Sequence, residues 1–206
     1  MQSTTSPLPA SPAAPLGDTG SNSGDPYNFP PEYHFPAFFT QQPTSTTFHA
    51  QCSKWAALIL AYCRARHLFK ISLIDAVDSE LFHNTRLGRR LDLGTAREMV
   101  DFMQRHGRAE WIGSRGATAA AADKNVCWVW WKNPEEWATL IADWVDETGQ
   151  KNTVLTLYEL TESEATKGQE FHGMDPELLQ KALNVLVKRG KAQVFGHEDG
   201  QGVKFF

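Results

Sequence analysis

The chain has 206 residues, of which 41% are hydrophobic and 21% are charged, and its net charge is −4. This is enough apolar sequence for one ordinary domain or two small ones, and the acidic balance argues against a general nucleic-acid binder. The longest apolar run, Trp55 to Cys63, is far shorter than the about 20 residues of a membrane-spanning helix. The three cysteines form no C-x-x-C motif and the N-terminus lacks the pattern of a secretory signal, so we expect a reduced, soluble, cytoplasmic protein.

The composition changes abruptly near residue 27. Residues 1–26 are mostly Ser, Thr, Pro, Ala and Gly, too poor in large apolar side chains to offset the entropy of ordering, so a disordered tail is predicted. Residues 27–47 interleave prolines with aromatic residues. Because proline disfavours helix and keeps the preceding residue extended, this second segment is predicted to be extended.

From residue 48 onward the spacing of apolar residues predicts helices and strands. Apolar faces with helical periodicity occur within residues 55–63, 96–103, 137–145 and 178–186. Asn133 followed by Pro134 and Glu136 is the signature of a capped helix start. A Gly-, Ser- and Ala-rich loop separates the first two of four predicted strands, which cover residues 108–112, 126–131, 191–195 and 202–206. Residues 154–158 are ambiguous between a strand and a short helix.

The chain contains an internal repeat. The apolar helix positions of residues 55–63 recur 82 residues later, and those of residues 99–103 recur 83 residues later. Each unit then has helices followed by a two-stranded hairpin, which is the plan of a winged helix, a relative of the helix-turn-helix. The predicted fold is α+β and mainly helical, with two tandem winged-helix domains over residues 48–131 and 132–206.

Charge is distributed unevenly among these parts. Residues 1–48, 49–131 and 132–206 carry net charges of −3, +4 and −5. Because duplex DNA is bound largely through its phosphates, the acidic second domain favours a protein partner, and a winged-helix nucleic-acid-binding regulator is the alternative. A second question concerns four basic residues, which we interpret as solvated and not as a patch for an acidic protein or a lipid headgroup. They are Lys70, Arg86, Arg89 and Arg90.

No motif supports catalysis or a bound cofactor. The sequence has no nucleophile motif, no H-E-x-x-H and no Cys/His spacing for zinc. His172 is interpreted as structural, Cys127 as an inert core thiol, and residues 200–202 as part of a hairpin turn. We therefore predict that the protein is not an enzyme and holds no metal or cofactor.

The proline–aromatic segment, residues 27–47, is the main candidate binding element. It contains a complete P-P-x-Y motif at residues 30–33, followed directly by F-P-A-F-F at residues 35–39. Proline lowers the entropy lost on binding, so the aromatic side chains are predicted to dock into a groove of a partner. Two alternatives stay open: the segment folds back on its own first domain, or the P-P-x-Y motif binds a WW domain of a ubiquitin ligase.

Five stretches together resemble the family of the small subunit of ESCRT-II. They are residues 33–43 (Y-x-F-P-x-F-F-T-x-Q-P), 134–137 (P-E-E-W), 149–161 (G-Q-x-N-x-V-x-T-L-Y-E-L-T), 170–173 (E-F-H-G) and 202–206 (G-V-K-F-F). The resemblance runs from about Pro30 to the C-terminus. It leaves out the N-terminal tail and the Ala-rich loop near residues 117–122.

The resemblance implies a non-catalytic scaffold in a cytosolic, Y-shaped complex with two copies of this subunit and one each of two larger subunits. Family members grip winged-helix domains of the larger subunits through N-terminal P-P-x-Y-like motifs. Carried over, these contacts are Pro30, Pro31, Tyr33, Phe35, Pro36, Phe38 and Phe39. Ala37 and Phe39 depart from the family's second motif, which has proline and tyrosine at those positions.

The resemblance also implies that the second winged helix recruits the first, membrane-anchored subunit of ESCRT-III. The matching contacts are Leu155, Thr156 and Leu157, with burial of Leu157 in the core as an equal alternative. The acidic second domain suits a basic helix of that partner. The implied function is an adaptor in multivesicular body sorting of ubiquitinated cargo, recruited to the endosomal membrane surface and touching it only through the complex.

Overall fold

The computed structural model describes residues 27–113, 124–196 and 201–206. In these residues the α-helices are α1 (Ser45–Ala65), α2 (Leu73–Ala76), α3 (Leu93–Arg105), α4 (Pro134–Glu147), α5 (Leu157–Glu162) and α6 (Pro176–Lys188). The strands are β1 (Lys70–Ser72), β2 (His83–Asn84), β3 (Arg89–Arg90), β4 (Ala109–Trp111), β5 (Val126–Val129), β6 (Val154–Thr156), β7 (Ala192–Phe195) and β8 (Gly202–Phe205). Short 3-10 helices cover Pro31–His34, Pro36–Phe39 and Glu164–Thr166. The predicted disordered tail, the Ala-rich loop and the turn at residues 199–200 lie outside the described residues.

The fold is α+β, and its two halves share one strand topology. One antiparallel sheet has the spatial order β1-β5-β4, and the other has the order β6-β8-β7. In each half a long helix precedes the first strand, and an amphipathic helix precedes the final strand pair. α1 and α3 therefore hold the positions in the first half that α4 and α6 hold in the second. The first half adds the small β2–β3 hairpin between α2 and α3.

The predicted helix start at Asn133 is confirmed by its geometry. The Asn133 side chain accepts a hydrogen bond from the Glu136 N–H at 2.8 Å, and the Glu136 carboxylate accepts one from the Asn133 N–H at 2.7 Å. Pro134 occupies the first helical position, where its missing N–H costs nothing. The next turns place Trp137 and Ile141 in the core, both fully buried. The cap therefore fixes where α4 begins and which of its faces points inward.

The ambiguous stretch at residues 154–158 is a strand followed at once by a helix. Val154–Thr156 forms β6, and Thr156 is the N-cap of α5. Its hydroxyl accepts from the Glu159 N–H at 3.1 Å, while the Glu159 carboxylate accepts from the Thr156 N–H at 2.7 Å. Both sequence interpretations were partly right, because a β-branched run ends on a residue that also caps a helix.

The proline–aromatic segment is not extended, so that prediction is wrong. Pro31 and Pro36 each begin a 3-10 helix of four residues, and α1 begins at Ser45, inside the range assigned to the segment. The reason is that proline blocks a helix interior but not a helix start, where its fixed φ angle is already suitable. Phe35, between the two short helices, keeps an extended backbone.

The two halves share core residues at their junction. Phe69, Trp128 and Trp130 come from the first half of the chain but are buried in the cluster of the second half. Trp131 packs edge-on against Trp137 at 4.8 Å. The described structure thus joins the halves through a packed aromatic core in addition to the short connection between β5 and α4.

Ion pairs surround this shared core. Lys70 Nζ lies 3.0 Å from an Asp175 carboxylate oxygen and 2.8 Å from one of Glu177. Glu170 of the second half pairs with Arg64 of the first half. Since each pair is partly exposed, its own contribution to stability is small. Together they connect β1 and α1 of the first half to the start of α6 and to the turn before it.

Removing the cap of α4 tests this part of the fold. Asn133→Ala is expected to lower the free energy of unfolding by about 1–2 kcal/mol, because one helix N–H loses its partner and the reciprocal bond from Glu136 is no longer positioned. Urea denaturation measures the change. Asn184→Ala, at an exposed position in the last turns of α6, is the matched control and should change stability by less than about 0.5 kcal/mol. Equal effects of the two substitutions would contradict the capping role.

Candidate protein-interaction surfaces

The second 3-10 helix of the proline–aromatic segment is packed onto α1. The Phe38 ring stacks on the Trp55 indole with centroids 4.3 Å apart, and Phe39 meets the same indole edge-on at 5.5 Å. The Trp55 Nε1–H donates a hydrogen bond to the Phe38 carbonyl at 3.0 Å. Phe38, Phe39 and Trp55 are all buried. One tryptophan of α1 therefore holds this part of the segment by its ring and by its N–H group.

The first 3-10 helix is held from the other side by the loop after α2 and by β2. Tyr33 is only 4% exposed, its ring stacks on Phe29 at 3.9 Å, and its hydroxyl donates to the Glu80 carbonyl. The Asn84 side-chain amide donates to the Tyr33 carbonyl at 2.8 Å. Burial, with the nearby Glu80 carboxylate, raises the pKa of Tyr33 to about 12. The phenol thus behaves as a buried, neutral hydrogen-bond donor.

These contacts distinguish two interpretations of the segment, namely docking of its aromatic side chains into a partner and folding back onto its own first half. Tyr33, Phe38 and Phe39 lie in the core of their own first half, as the fold-back alternative predicted. In this structure their side chains are not free to enter a partner's groove, so that part of the docking prediction is corrected. The physical cause is that α1 presents Trp55 toward the segment, where the rings of Phe38 and Phe39 cover the indole.

The remaining residues of the motifs form an exposed surface. Pro31, Phe35 and Pro36 are exposed and Pro30 is half-buried, with 63% of the Phe35 surface accessible to solvent. Beside Phe35 an open groove of about 440 Å³ runs toward α1, lined by Ala37, Ala50 and the Glu32–Lys54 ion pair. We call Pro31, Phe35, Pro36 and this groove the proline surface. A partner would meet one large apolar ring on a rigid support.

The β2–β3 hairpin is a neighbouring feature that sequence reasoning did not identify. Gly88, with a φ of 57°, makes the turn, and the strand pair has only two residues on each side. Its exposed arginines Arg86, Arg89 and Arg90 are on the same hairpin as Asn84, whose amide donates to the Tyr33 carbonyl. Arg90 also pairs with Asp78. The signal in the sequence was the Arg86-Leu87-Gly88-Arg89 turn, which was interpreted as part of a loop.

Lys70 is not part of this basic group. It pairs with Asp175 and Glu177 across the junction of the halves, and its ammonium lies 4.3 Å from the centre of the Trp128 ring. The sequence placed it with the arginines, but the structure uses it to join the two halves. Of the four basic residues that the sequence grouped together, the exposed ones are therefore the three hairpin arginines.

In the second half the structure separates the three predicted ESCRT-III contacts. Leu155 is buried, Leu157 is half-buried and Thr156 is exposed as the cap of α5. Strand alternation turns Val154 and Thr156 to the outer side of the sheet, where Phe195 of β7 is also exposed. Gly202 of β8 lies between them, and a Cβ atom there would come within 3.0 Å of Val154 Cγ1.

The exposed apolar residues of this face are more numerous than the sequence suggested. We call Val154, Thr156, Tyr158 and Phe195 the outer sheet surface. Tyr158 begins α5 and is 69% exposed, and Val154 is 56% exposed. Gly202 is buried and lies against the Val154 side chain, and the half-buried Lys204, the register partner of Val154, is on the same side of the sheet. The sequence signal that could have identified Val154 in place of Leu155 is strand alternation: if Leu155 faces the core, its neighbours Val154 and Thr156 face outward.

The described residues show structural roles for the reactive side chains that the sequence offered. His172 Nδ1 lies 3.0 Å from the buried Thr166 hydroxyl, in the turn before α6. Cys52, Cys63 and Cys127 are buried free thiols, and burial raises the pKa of Cys127 to about 12. Among the described residues no group of His, Cys, Asp and Glu is arranged to hold a metal ion. Nor does any helix in that part of the chain combine the length and apolarity needed to span a bilayer.

Comparison with known proteins connects this geometry to one family. The family model described as ESCRT-II complex subunit matches residues 32–175. The vacuolar protein-sorting-associated proteins 25 of Homo sapiens and Danio rerio are 37% and 36% identical to the chain, over 87% of its length and 98% and 99% of theirs. The crystal structure of subunit VPS25 of the endosomal trafficking complex ESCRT-II superposes with a TM-score of 0.75, at 31% identity, over 86% of this chain and 98% of that one.

A structure of the whole complex gives a similar result. The VPS22/VPS25/VPS36 endosomal complex contains a chain that matches with a TM-score of 0.73, at 31% identity, over 85% of this chain and 98% of that one. By its fold and its relatives, the protein is thus a subunit of an endosomal trafficking complex. It belongs to the ESCRT-II complex subunit family, and among the relatives compared it is similar to the vacuolar protein-sorting-associated proteins 25.

The burial of Tyr33 predicts a stability effect that a free arm would not have. Tyr33→Ala removes a stacked ring from the core and is expected to lower the free energy of unfolding by about 3–5 kcal/mol. Phe35→Ala, two residues away but exposed, should change it by less than about 0.5 kcal/mol. Urea denaturation of both variants measures the difference. An unchanged midpoint for Tyr33→Ala would show that the segment leaves the first half in solution.

Proposed function

We propose that the protein is a non-catalytic scaffold of ESCRT-II in which the first half binds the two larger subunits and the second half recruits the first ESCRT-III subunit. The observation that carries this proposal is the proline surface, where prolines and a highly exposed phenylalanine are displayed on a segment packed onto α1. Membership of the ESCRT-II family supports the same role. With two copies in the complex, two recruiting surfaces would act together in multivesicular body sorting of ubiquitinated cargo.

Each half fits a winged-helix domain in this proposal. The long helix, the short helix after the first strand and the amphipathic helix precede a two-stranded wing that pairs with the first strand. The pattern supports domains at about residues 48–131 and 132–206, with Phe69, Trp128 and Trp130 packed across the boundary. A winged helix used for protein contacts has no need of a basic recognition helix, which agrees with the exposed Glu98 of α3 and Glu177 of α6.

The larger subunits are the proposed partners of the proline surface. Phe35 projects from a support that is already ordered, so little conformational entropy is lost when it is covered. Pro31 and Pro36 keep the adjoining turns rigid, and the arginines of the β2–β3 hairpin add positive charge at the same end of the first half. The buried side chains of Tyr33, Phe38 and Phe39 contribute by packing in the first half and keeping this support ordered. The motif residues thus form two groups: exposed residues that contact the partner, and buried residues that support them.

Phe35→Ala tests the first contact. Because Phe35 is exposed and its support does not depend on it, the isolated chain should keep its stability while the dissociation constant for the two larger subunits rises about tenfold to hundredfold. Calorimetric titration of the purified chain into the co-expressed larger subunits measures this. Phe195→Ala, the same substitution on the outer sheet surface, is the matched control and should leave this affinity unchanged.

The outer sheet surface is the proposed ESCRT-III contact. Val154, Thr156 and Phe195 lie on one side of the sheet, and Tyr158 continues the surface at the start of α5. The second half carries a net charge of −5, and the exposed Glu162 and Glu164 follow Tyr158 along the chain. This charge supports a basic amphipathic helix as the bound element, with its apolar side on Val154 and Phe195.

The same pair of variants gives the reciprocal result for the second contact. Phe195→Ala, alone or with Tyr158→Ala, should weaken binding of the first ESCRT-III subunit about tenfold or more, whereas Phe35→Ala should not. Fluorescence anisotropy with the labelled first ESCRT-III subunit measures the affinity. If Leu155→Ala weakened binding in a chain that still unfolded at the wild-type midpoint, the partner would be contacting the inner and not the outer side of β6.

A further inference from the structure

Gln51 is a buried polar residue of α1 whose side chain is committed to the proline–aromatic segment. It is 5% exposed. Its Nε2 group donates to the Phe38 carbonyl at 2.8 Å and to the Thr40 carbonyl at 2.9 Å, and its Oε1 accepts from the Gln42 N–H at 3.2 Å. One side-chain amide thus makes three hydrogen bonds to the backbone of residues 38–42. None of these bonds belongs to α1 itself.

The segment needs such a partner at this place. The 3-10 helix ends at Phe39, and the chain then runs along α1 without joining a sheet until Thr44 caps that helix. A buried backbone group without a partner is costly, so the chain here depends on side chains for its hydrogen bonds. Gln51 provides both the donors and the acceptor. Its side-chain amide has an NH2 group that donates and a carbonyl oxygen that accepts, attached to the same carbon and held in one plane.

We propose that Gln51 is a positioning residue for partner docking: it latches residues 38–42 to α1 and so holds Phe35 and Pro36 in the orientation that the larger subunits bind. This inference rests on the proposed function. Tyr33 ties the segment on one side of Phe35, through Glu80 and Asn84, and the Gln51 latch ties it on the other. Phe38 stays stacked on Trp55 when either tie is lost, but the chain on that side of Phe35 becomes looser, and only the fraction of molecules with the docking conformation binds.

Two substitutions separate the parts of the latch. Gln51→Leu removes all three hydrogen bonds at similar volume. Gln51→Glu keeps an acceptor for the Gln42 N–H but loses the donors to Phe38 and Thr40. Gln104→Glu, on the exposed side of α3, introduces the same change of charge away from the segment and is the matched control. Each full-length variant is studied by amide hydrogen exchange and by titration with the co-expressed larger subunits.

For Gln51→Leu we expect the Gln42 amide to exchange about tenfold faster or more, since a buried hydrogen bond shifts a local opening equilibrium by about that factor. Exchange in α6 should not change. The dissociation constant for the larger subunits should rise about tenfold for Gln51→Leu and for Gln51→Glu, mainly through slower association. The control should match the wild type in both measurements.

Two results would overturn the inference, and a third concerns the proposed function. Unchanged exchange at Gln42 in Gln51→Leu would show that Gln51 does not latch the segment. Faster exchange with unchanged affinity would show that the latch does not position the docking residues. If the wild-type chain did not bind the larger subunits at all, the proposed function would fail together with the docking role, whereas the exchange data would still report on the latch in the isolated chain.

Discussion

The stacking of Phe38 on Trp55 is the contact on which the first half depends. The Trp55 indole is buried among α1, the proline–aromatic segment and Phe82, and its N–H group ties the Phe38 carbonyl. Aromatic pairs of this kind contribute more to stability than burial of their area alone, because the rings favour specific stacked and edge-to-face arrangements. By covering this face of α1, the segment becomes part of the first half. The order of Phe35, on which the proposed docking depends, is therefore a consequence of core packing.

A second constraint operates at the junction of the halves. The strand β5 supplies Cys127 and Val129 to the first core and Trp128 to the second, since alternate side chains point to opposite faces of the sheet, and Trp130, directly after the strand, also joins the second core. One strand is therefore shared by both halves. Bending between them would expose two stacked indoles, whose centroids are 5.3 Å apart. The packed junction therefore resists a change in the relative orientation of the two proposed binding surfaces, as the proposed scaffold role requires.

Sequence reasoning identified the elements whose signals are local. The start of α4 followed from Asn133 and Glu136, the inward faces of α1 and α6 followed from apolar spacing, and the repeat anticipated the matching topology of the sheets. The β2–β3 hairpin was missed because two residues per strand carry no periodic pattern. The direction in which the aromatic rings point could not be predicted from the sequence either, because apolar rings next to prolines suit an external groove and the protein's own core equally well.

The same ambiguity explains why the candidate site was only half predictable. A motif of prolines and aromatics specifies composition, but the alternation of 3-10 helices decides that Tyr33 and Phe38 turn inward while Phe35 turns outward. That alternation depends on groups distant in the chain, namely Glu80, Asn84, Gln51 and Trp55. Under the proposed function, alanine substitution of a buried support residue is therefore expected to weaken the partner contact indirectly, by disordering Phe35, whereas substitution of Phe35 removes the contact itself. Stability and affinity measured on the same variants separate these two causes, because only the first lowers the free energy of unfolding of the isolated chain.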